Sequence, residues 1–115
     1  MAINPRQLIS GRYVAVALTK QYEAVDLTAV IDAFAVRNVT SNNVTFTCYV
    51  VEVGESPAIE NAFIYQKTIG PGEAYPCPEV VGRVIESGGY ISTEAGTASA
   101  LAIDASGREI TPASS

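Results

Sequence analysis

Carboxylate side chains offer the main chemistry in this sequence, because it contains no histidine. Histidine-based triads and the commonest metal ligand are therefore excluded. Two carboxylates suffice for glycoside hydrolysis, but nothing in the spacing of the glutamates selects a pair, and most of them lie in turns, where an acidic residue is simply solvated. The sequence predicts no catalytic, cofactor-binding or metal site. The glutamates considered are Glu52, Glu55, Glu60, Glu73, Glu79, Glu86 and Glu94.

Asp32 is the one charged residue inside an apolar segment. Alternation places it on the same face as Phe34 and Val36, so its side chain is expected to point inward. Burying an unpaired carboxylate is costly. We therefore expect Asp32 to pair with an arginine such as Arg37 or Arg83, or to lie at a bulge or a subunit contact. A catalytic acid is the alternative.

The two cysteines form no CxxC motif, which argues against a zinc site. Cys48 lies in an apolar, strand-like segment and Cys77 lies between two prolines. A disulfide would require their Cα atoms to be about 4.4–6.8 Å apart. Two reduced cysteines in a protein that folds in a cytoplasm is the favoured interpretation, with a disulfide as the alternative.

Charge and tyrosine content point towards proteins as partners. The net charge is −5 and the seven cations are scattered singly, so nucleic acid and anionic membrane surfaces are poor partners. The N-terminus lacks the apolar region of a signal peptide. Six tyrosines outnumber phenylalanine and tryptophan together, and tyrosine is enriched at protein interfaces. A sugar-binding surface would use aromatic residues similarly, and ordinary sheet packing is the third interpretation.

Short strands must position all of these residues. Alternating apolar residues predict a half-buried strand at 13–18, a second short strand at 22–25 and a third strand at 27–39. A helix over 27–35 is the alternative for the third, and its β-branched residues favour a strand. The clearest strand follows, with Val44, Phe46, Cys48 and Val50 on one face. Because Ser41-Asn42-Asn43 supplies turn chemistry, the third strand and this one are predicted to form a hairpin.

The second half of the chain continues this pattern. Strands are predicted at 62–69, 90–93 and 99–104, with a tight turn at 70–73. Pro76 and Pro78 indicate an edge or a crossing loop. Ser106-Gly107 is predicted to turn the chain into a final short strand.

The spacing of strand signals, about eight to twelve residues, predicts an all-β fold. The expected architecture is a single antiparallel β-sandwich or jelly-roll-like domain. Residues 1–12 show no sustained period and are predicted to form an N-terminal arm or a short edge element. The sandwich would occupy residues 13–110, followed by a flexible tail at 111–115. As the arm would be a contact element, deleting residues 1–10 is expected to leave a folded domain that no longer attaches to its partner.

Three segments share a pattern of turns and alternation: 36–51 (VRNVTSNNVTFTCYVV), 69–73 (IGPGE) and 79–91 (EVVGRVIESGGYI). Over these segments the sequence resembles a group of small β-sandwich virion proteins of tailed bacteriophages. The resemblance covers about the last two-thirds of the chain. Residues 22–28 (YEAVDLT) depart from the proline- and glycine-containing segment common in the group.

The resemblance implies a non-enzymatic virion structural protein that is present in many copies and forms a homo-oligomer. Its partners would be the major capsid protein or other virion subunits. Decoration or cementing of the capsid surface fits best; a neck, tail or fibre-base component is the alternative within this class. A carbohydrate- or receptor-binding β-sandwich module is the alternative from a different class. The expected location is the virion, after folding in the host cytoplasm.

Overall fold

Nine strands and one short 3₁₀ turn make up the regular structure of residues 2–112, the part of the chain described by this computed structural model. The turn spans Ile59–Asn61. The strands are β1 (Ala2–Tyr13), β2 (Thr19–Glu23), β3 (Thr28–Asn38), β4 (Val44–Val51), β5 (Ala62–Ile69), β6 (Ala74–Tyr75), β7 (Val84–Ile85), β8 (Tyr90–Ala95) and β9 (Leu101–Thr111).

The strands form two antiparallel sheets that pack face to face, which confirms the all-β sandwich. Sheet A has the order β1-β9-β3-β6, with β7 also pairing β3, and sheet B has the order β2-β8-β4-β5. The pairing is nested: β1 with β9, β2 with β8, β3 with β6 and β4 with β5. The four pairs form one long antiparallel ribbon that is closed by the β4–β5 hairpin, and folding of this ribbon into two sheets gives the observed strand order. Eight of the strands therefore have the arrangement of a double-sheet jelly roll.

The predicted hairpin between β3 and β4 is wrong, because the two strands belong to different sheets. The connection 39–43 instead crosses from sheet A to sheet B. Asn38, fully buried, directs this crossing. Its side-chain N–H groups donate to the carbonyls of Asn42 (2.6 Å) and Ile69 (2.9 Å), and its carbonyl accepts the N–H (2.9 Å) and hydroxyl (2.7 Å) of Thr40. These bonds attach the end of β3 to the end of β5, in the other sheet.

Of the two predictions for the N-terminus, the arm is wrong and the edge element is nearer the structure, because residues 2–13 form the long edge strand of sheet A. Leu8 and Ile9 are buried side by side in the core. The pairing with β9 shifts register between Gln7 and Ile9 and again between Ile9 and Arg12. These bulges disrupt the two-residue period that would have revealed a strand. Of the predicted tail, Thr111 is the last residue of β9 and residues 113–115 lie outside the described part.

Two further predictions differ from the structure. Residues 14–18 are a connection and not a strand. Strand β9 continues through Ser106 and Gly107, where a turn was predicted. A Cβ atom at Gly107 would lie 2.0 Å from the carbonyl oxygen of Val30. Glycine is needed here because two strands approach closely.

Candidate functional site

Four of the seven candidate glutamates accept hydrogen bonds from neighbouring groups. Glu73 accepts the Gly70 N–H at 2.7 Å, which closes the turn that the sequence predicts at 70–73. The other three accept hydroxyl groups: Tyr75 donates to Glu79 at 2.5 and 2.7 Å, Tyr49 donates to Glu94 at 3.2 Å, and Thr28 donates to Glu86 at 3.5 Å. These carboxylates fix local structure.

The remaining three glutamates, Glu52, Glu55 and Glu60, line one open cleft of about 310 Å³ together with Arg83. The Arg83 guanidinium lies 4.0 Å from the centre of the Phe63 ring and donates to a backbone carbonyl at 3.2 Å. Sequence spacing missed this grouping because Arg83 comes from a distant segment. Within residues 2–112, no group of three or more carboxylates and thiols has a geometry that could hold a metal ion.

Asp32 points to solvent, so the predicted inward orientation is wrong. The register of β3 against β9 shifts between Ile31 and Ala33, which makes Asp32 the bulged residue. Alternation therefore changes phase at this point, and Phe34 is buried while Asp32 is not. The sequence predicts an arginine partner or a bulge for Asp32, and the structure has both. The partner is Arg108, and not Arg37 or Arg83: its guanidinium donates to both carboxylate oxygens of Asp32 at 2.9–3.2 Å. This hydrogen bonding raises the pKa of Arg108.

Both cysteines are free, which agrees with the favoured interpretation, and both are buried. Burial raises the pKa of the Cys77 thiol to about 12. The pKa of the Cys48 thiol is raised further, first by burial and then by the proximity of Cys77 and Glu79. Protonated, buried thiols react slowly with electrophiles.

The tyrosines do not gather around any of the five clefts described below. Five surface clefts of about 170–550 Å³ have no tyrosine in their lining. The hydroxyls of Tyr22, Tyr49 and Tyr75 donate to glutamates, and the rings of Tyr75 and Tyr90 lie beneath lysine ammonium groups. This arrangement gives no support to the sugar-binding alternative.

The two ends of the sandwich differ sharply in charge. The connections 14–18, 39–43 and 96–100 lie at one end and contain no charged residue; we call the surface they form the uncharged end. The β5–β6 turn 70–73 lies at the same end and adds one charge, Glu73, whose carboxylate accepts the Gly70 N–H. Backbone hydrogen bonds join these connections to one another and to the adjoining strands: Val14 to Leu101, Val39 to Ala100, and Ala95 to Ala15. At the opposite, acidic end lie the connections 24–27, 52–61 and 86–89. Their charged residues are all acidic: Asp26, Glu52, Glu55, Glu60 and Glu86.

The uncharged end exposes apolar side chains. Residues 15–18 (AVAL) are four consecutive exposed apolar residues, with Val16 50% and Leu18 45% exposed. Tyr13 and Val39 are exposed nearby. A run of exposed apolar residues is unfavourable in an isolated protein unless another molecule covers it. The sequence assigned this segment to a half-buried strand, although the absence of charge from 14–18, 39–43 and 96–100 was a signal available in the sequence.

No helix within residues 2–112 is long and apolar enough to cross a membrane. No protein-family profile, curated protein sequence or solved structure matches this chain.

Proposed function

We propose that this chain is a non-enzymatic structural protein of a tailed-bacteriophage virion, and that it binds the capsid surface as a decoration or cement protein. The observation that carries the protein-binding part of this proposal is the exposed apolar run at residues 15–18 on the uncharged end. A second virion subunit is the kind of partner that would cover it. The viral setting is supported by the sequence resemblance and, by analogy of fold alone, by the use of jelly rolls in viral capsid proteins.

The charge distribution favours one orientation on the partner. Five of the chain's twelve acidic residues lie in the connections of the acidic end, where they remain hydrated. The three connections 14–18, 39–43 and 96–100 can be desolvated without burying an ionised group, which avoids a large cost of forming an interface, provided that Glu73 in the adjoining turn stays hydrated at its rim. The chain would therefore stand on the particle with its acidic end outward.

The attachment site proposed here replaces the N-terminal arm. Deleting residues 1–10 would remove Leu8 and Ile9 from the core. A loss of attachment by such a variant could therefore result from unfolding and would not identify a contact surface. Point substitutions on the exposed run leave the core intact. We therefore choose Val16→Asp and Leu18→Asp, each tested in the full chain.

The experiment measures binding of purified chain to particles of the phage that encodes it, or to its purified capsid protein. Each substitution is expected to lower occupancy at least about 10-fold, because an interfacial carboxylate must be desolvated without a partner. The matched control is Val53→Asp, which changes a 62% exposed valine at the acidic end and is expected to leave occupancy unchanged. Absence of the chain from particles, or equal occupancy for all variants, would overturn the proposal.

A further inference from the structure

We propose that two copies of this chain associate through the outer faces of their sheet A, with Arg37 of each copy opposite Asp104 of the other. This inference is independent of the proposed function, since it concerns a different surface from the uncharged end. Both residues are exposed on the side of sheet A that faces away from sheet B.

The charges on this face are balanced, although the chain as a whole is acidic. Strands β3 and β9 place four ionisable residues on it: Asp32, Arg37, Asp104 and Arg108. The chain carries −5 overall, whereas these four sum to zero. Contact through this face therefore brings no net charge of one copy against a like net charge of the other.

Only two of these charges are available to a partner. Asp32 and Arg108 already form an ion pair at 2.9 Å. Among the described residues, Arg37 and Asp104 lie within ion-pair distance of no opposite charge. They sit on adjacent strands in diagonal positions, since Arg37 is opposite Ala102 and Asp104 is opposite Ala35.

A twofold axis makes these two charges complementary. In a symmetric dimer, residue i of one copy contacts residue j of the other, and the reverse contact follows automatically. An axis in the plane of the interface, passing between Arg37 and Asp104, brings each arginine over the partner copy's aspartate. One rotation thus forms two ion pairs.

The surface between the charges permits close approach. The side chains directly opposite Asp104 and Arg37 in the β3–β9 register are small, namely Ala35 and Ala102. At a strand spacing of about 4.8 Å and a rise of about 3.4 Å per residue, three strands of eleven residues cover roughly 500 Å². Two such faces would bury roughly 1,000 Å² in total, which is the size of weak, reversible interfaces.

Pairing through the free edge of β1 is the competing route, and the structure opposes it. Pro5 offers no N–H group to a neighbouring strand, and two register shifts distort β1 between Gln7 and Arg12. Such features protect edges from pairing with other chains. The free edge of β1 is therefore a poor route for self-association.

The test is sedimentation equilibrium of the full chain, at concentrations up to about 1 mM because the interface is small. Wild type is expected to approach twice its 12.1 kDa monomer mass. Asp104→Arg and Arg37→Asp each place like charges opposite one another at both contacts, and each should weaken the dimer at least about 10-fold. The double variant, R37D with D104R, restores opposite charges and should regain wild-type association within about 3-fold.

Glu55→Arg is the matched control for Asp104→Arg, because it changes net charge equally in a connection of the acidic end; it should leave association unchanged. Circular dichroism of each variant verifies the fold. The inference is overturned by a wild type that stays monomeric, by single variants that associate like wild type, or by a double variant that fails to recover. Binding to particles is measured separately, so failure here leaves the proposed function standing.

Discussion

Gly107 lies where strands β9 and β3 of sheet A approach each other too closely for a side chain. Gly107→Ala would place a Cβ atom 2.0 Å from the Val30 carbonyl oxygen and 2.9 Å from a Leu8 methyl group. We expect a loss of about 2–4 kcal/mol in the free energy of unfolding, because backbone must move to relieve the overlap. Urea unfolding measures it. Gly11→Ala in β1 is the control, since its Cβ would meet nothing within 4 Å, and it should be neutral or slightly stabilising.

Asn38 is a second residue whose side chain cannot be replaced without cost. Asn38→Asp keeps the shape but turns two N–H donors into an oxygen that faces the carbonyls of Asn42 and Ile69. We expect a loss of about 2–4 kcal/mol near neutral pH, because a fully buried charge would oppose two carbonyl oxygens. The exposed neighbour Asn43→Asp should stay within about 0.5 kcal/mol of wild type in the same unfolding experiment. Equal stability of the two variants would contradict the role given to Asn38.

At the scale of elements, alternation predicted strands wherever one face packs without interruption. β4 follows the prediction closely: Val44, Phe46, Cys48 and Val50 are all buried. The predictions fail where long-range contacts determine which strands pair. The Ser41-Asn42-Asn43 turn has hairpin chemistry, but the bonds from Asn38 to the end of β5 carry the chain into the other sheet, and local sequence does not encode that partner.

The candidate site was predictable only in its components. That exposed apolar residues and a lack of charge favour protein contacts can be read from composition. The meeting of 14–18, 39–43 and 96–100 at one end depends on strand order, which short-range signals do not specify. A bulge caused the error at Asp32, since the extra residue changes the phase of alternation: Phe34 and Val36 are buried as predicted, but before the bulge Ile31 faces the core and Asp32 does not.

Strand β1 supplies the prediction at this scale. An edge strand that contributes to the core should tolerate changes at its exposed end but not at its buried centre. Ile9→Ala is expected to cost about 2–5 kcal/mol, because Ile9 is fully buried. Ile3→Ala, at a 54% exposed position of the same strand, should cost under about 1 kcal/mol. Thermal unfolding of the two variants distinguishes this strand from a detached arm, for which both changes would be neutral.

For the whole molecule, the raised pKa values all make the folded state less stable in alkali. Burial raises the pKa of the thiols of Cys48 and Cys77 and the hydroxyls of Tyr22, Tyr49 and Tyr75, with hydrogen bonds to glutamate adding to the effect for the tyrosines. The pKa of Tyr75 rises to about 12. For an acid whose folded pKa exceeds its unfolded value, the folded state holds the proton more tightly, so stability falls once pH passes the unfolded pKa.

Stability should therefore be constant near neutral pH and decline as pH rises past the ordinary thiol and phenol pKa values of 9.0 and 10.0. We expect the urea midpoint to fall steadily between about pH 8 and about pH 11.

Tyr22→Phe tests the cause, because Tyr22 of sheet B donates to Glu109 of sheet A at 2.6 Å, and Glu109 also pairs with Arg6 at 3.4 Å. This variant should be about 1 kcal/mol less stable near pH 8 and should lose less stability than wild type above about pH 10. Tyr65→Phe, which removes a hydroxyl from a half-exposed ring, should follow the wild-type curve. A midpoint that stays level to about pH 11 would contradict this prediction, because it would show that these groups bind their protons no more tightly in the folded chain than in the unfolded chain.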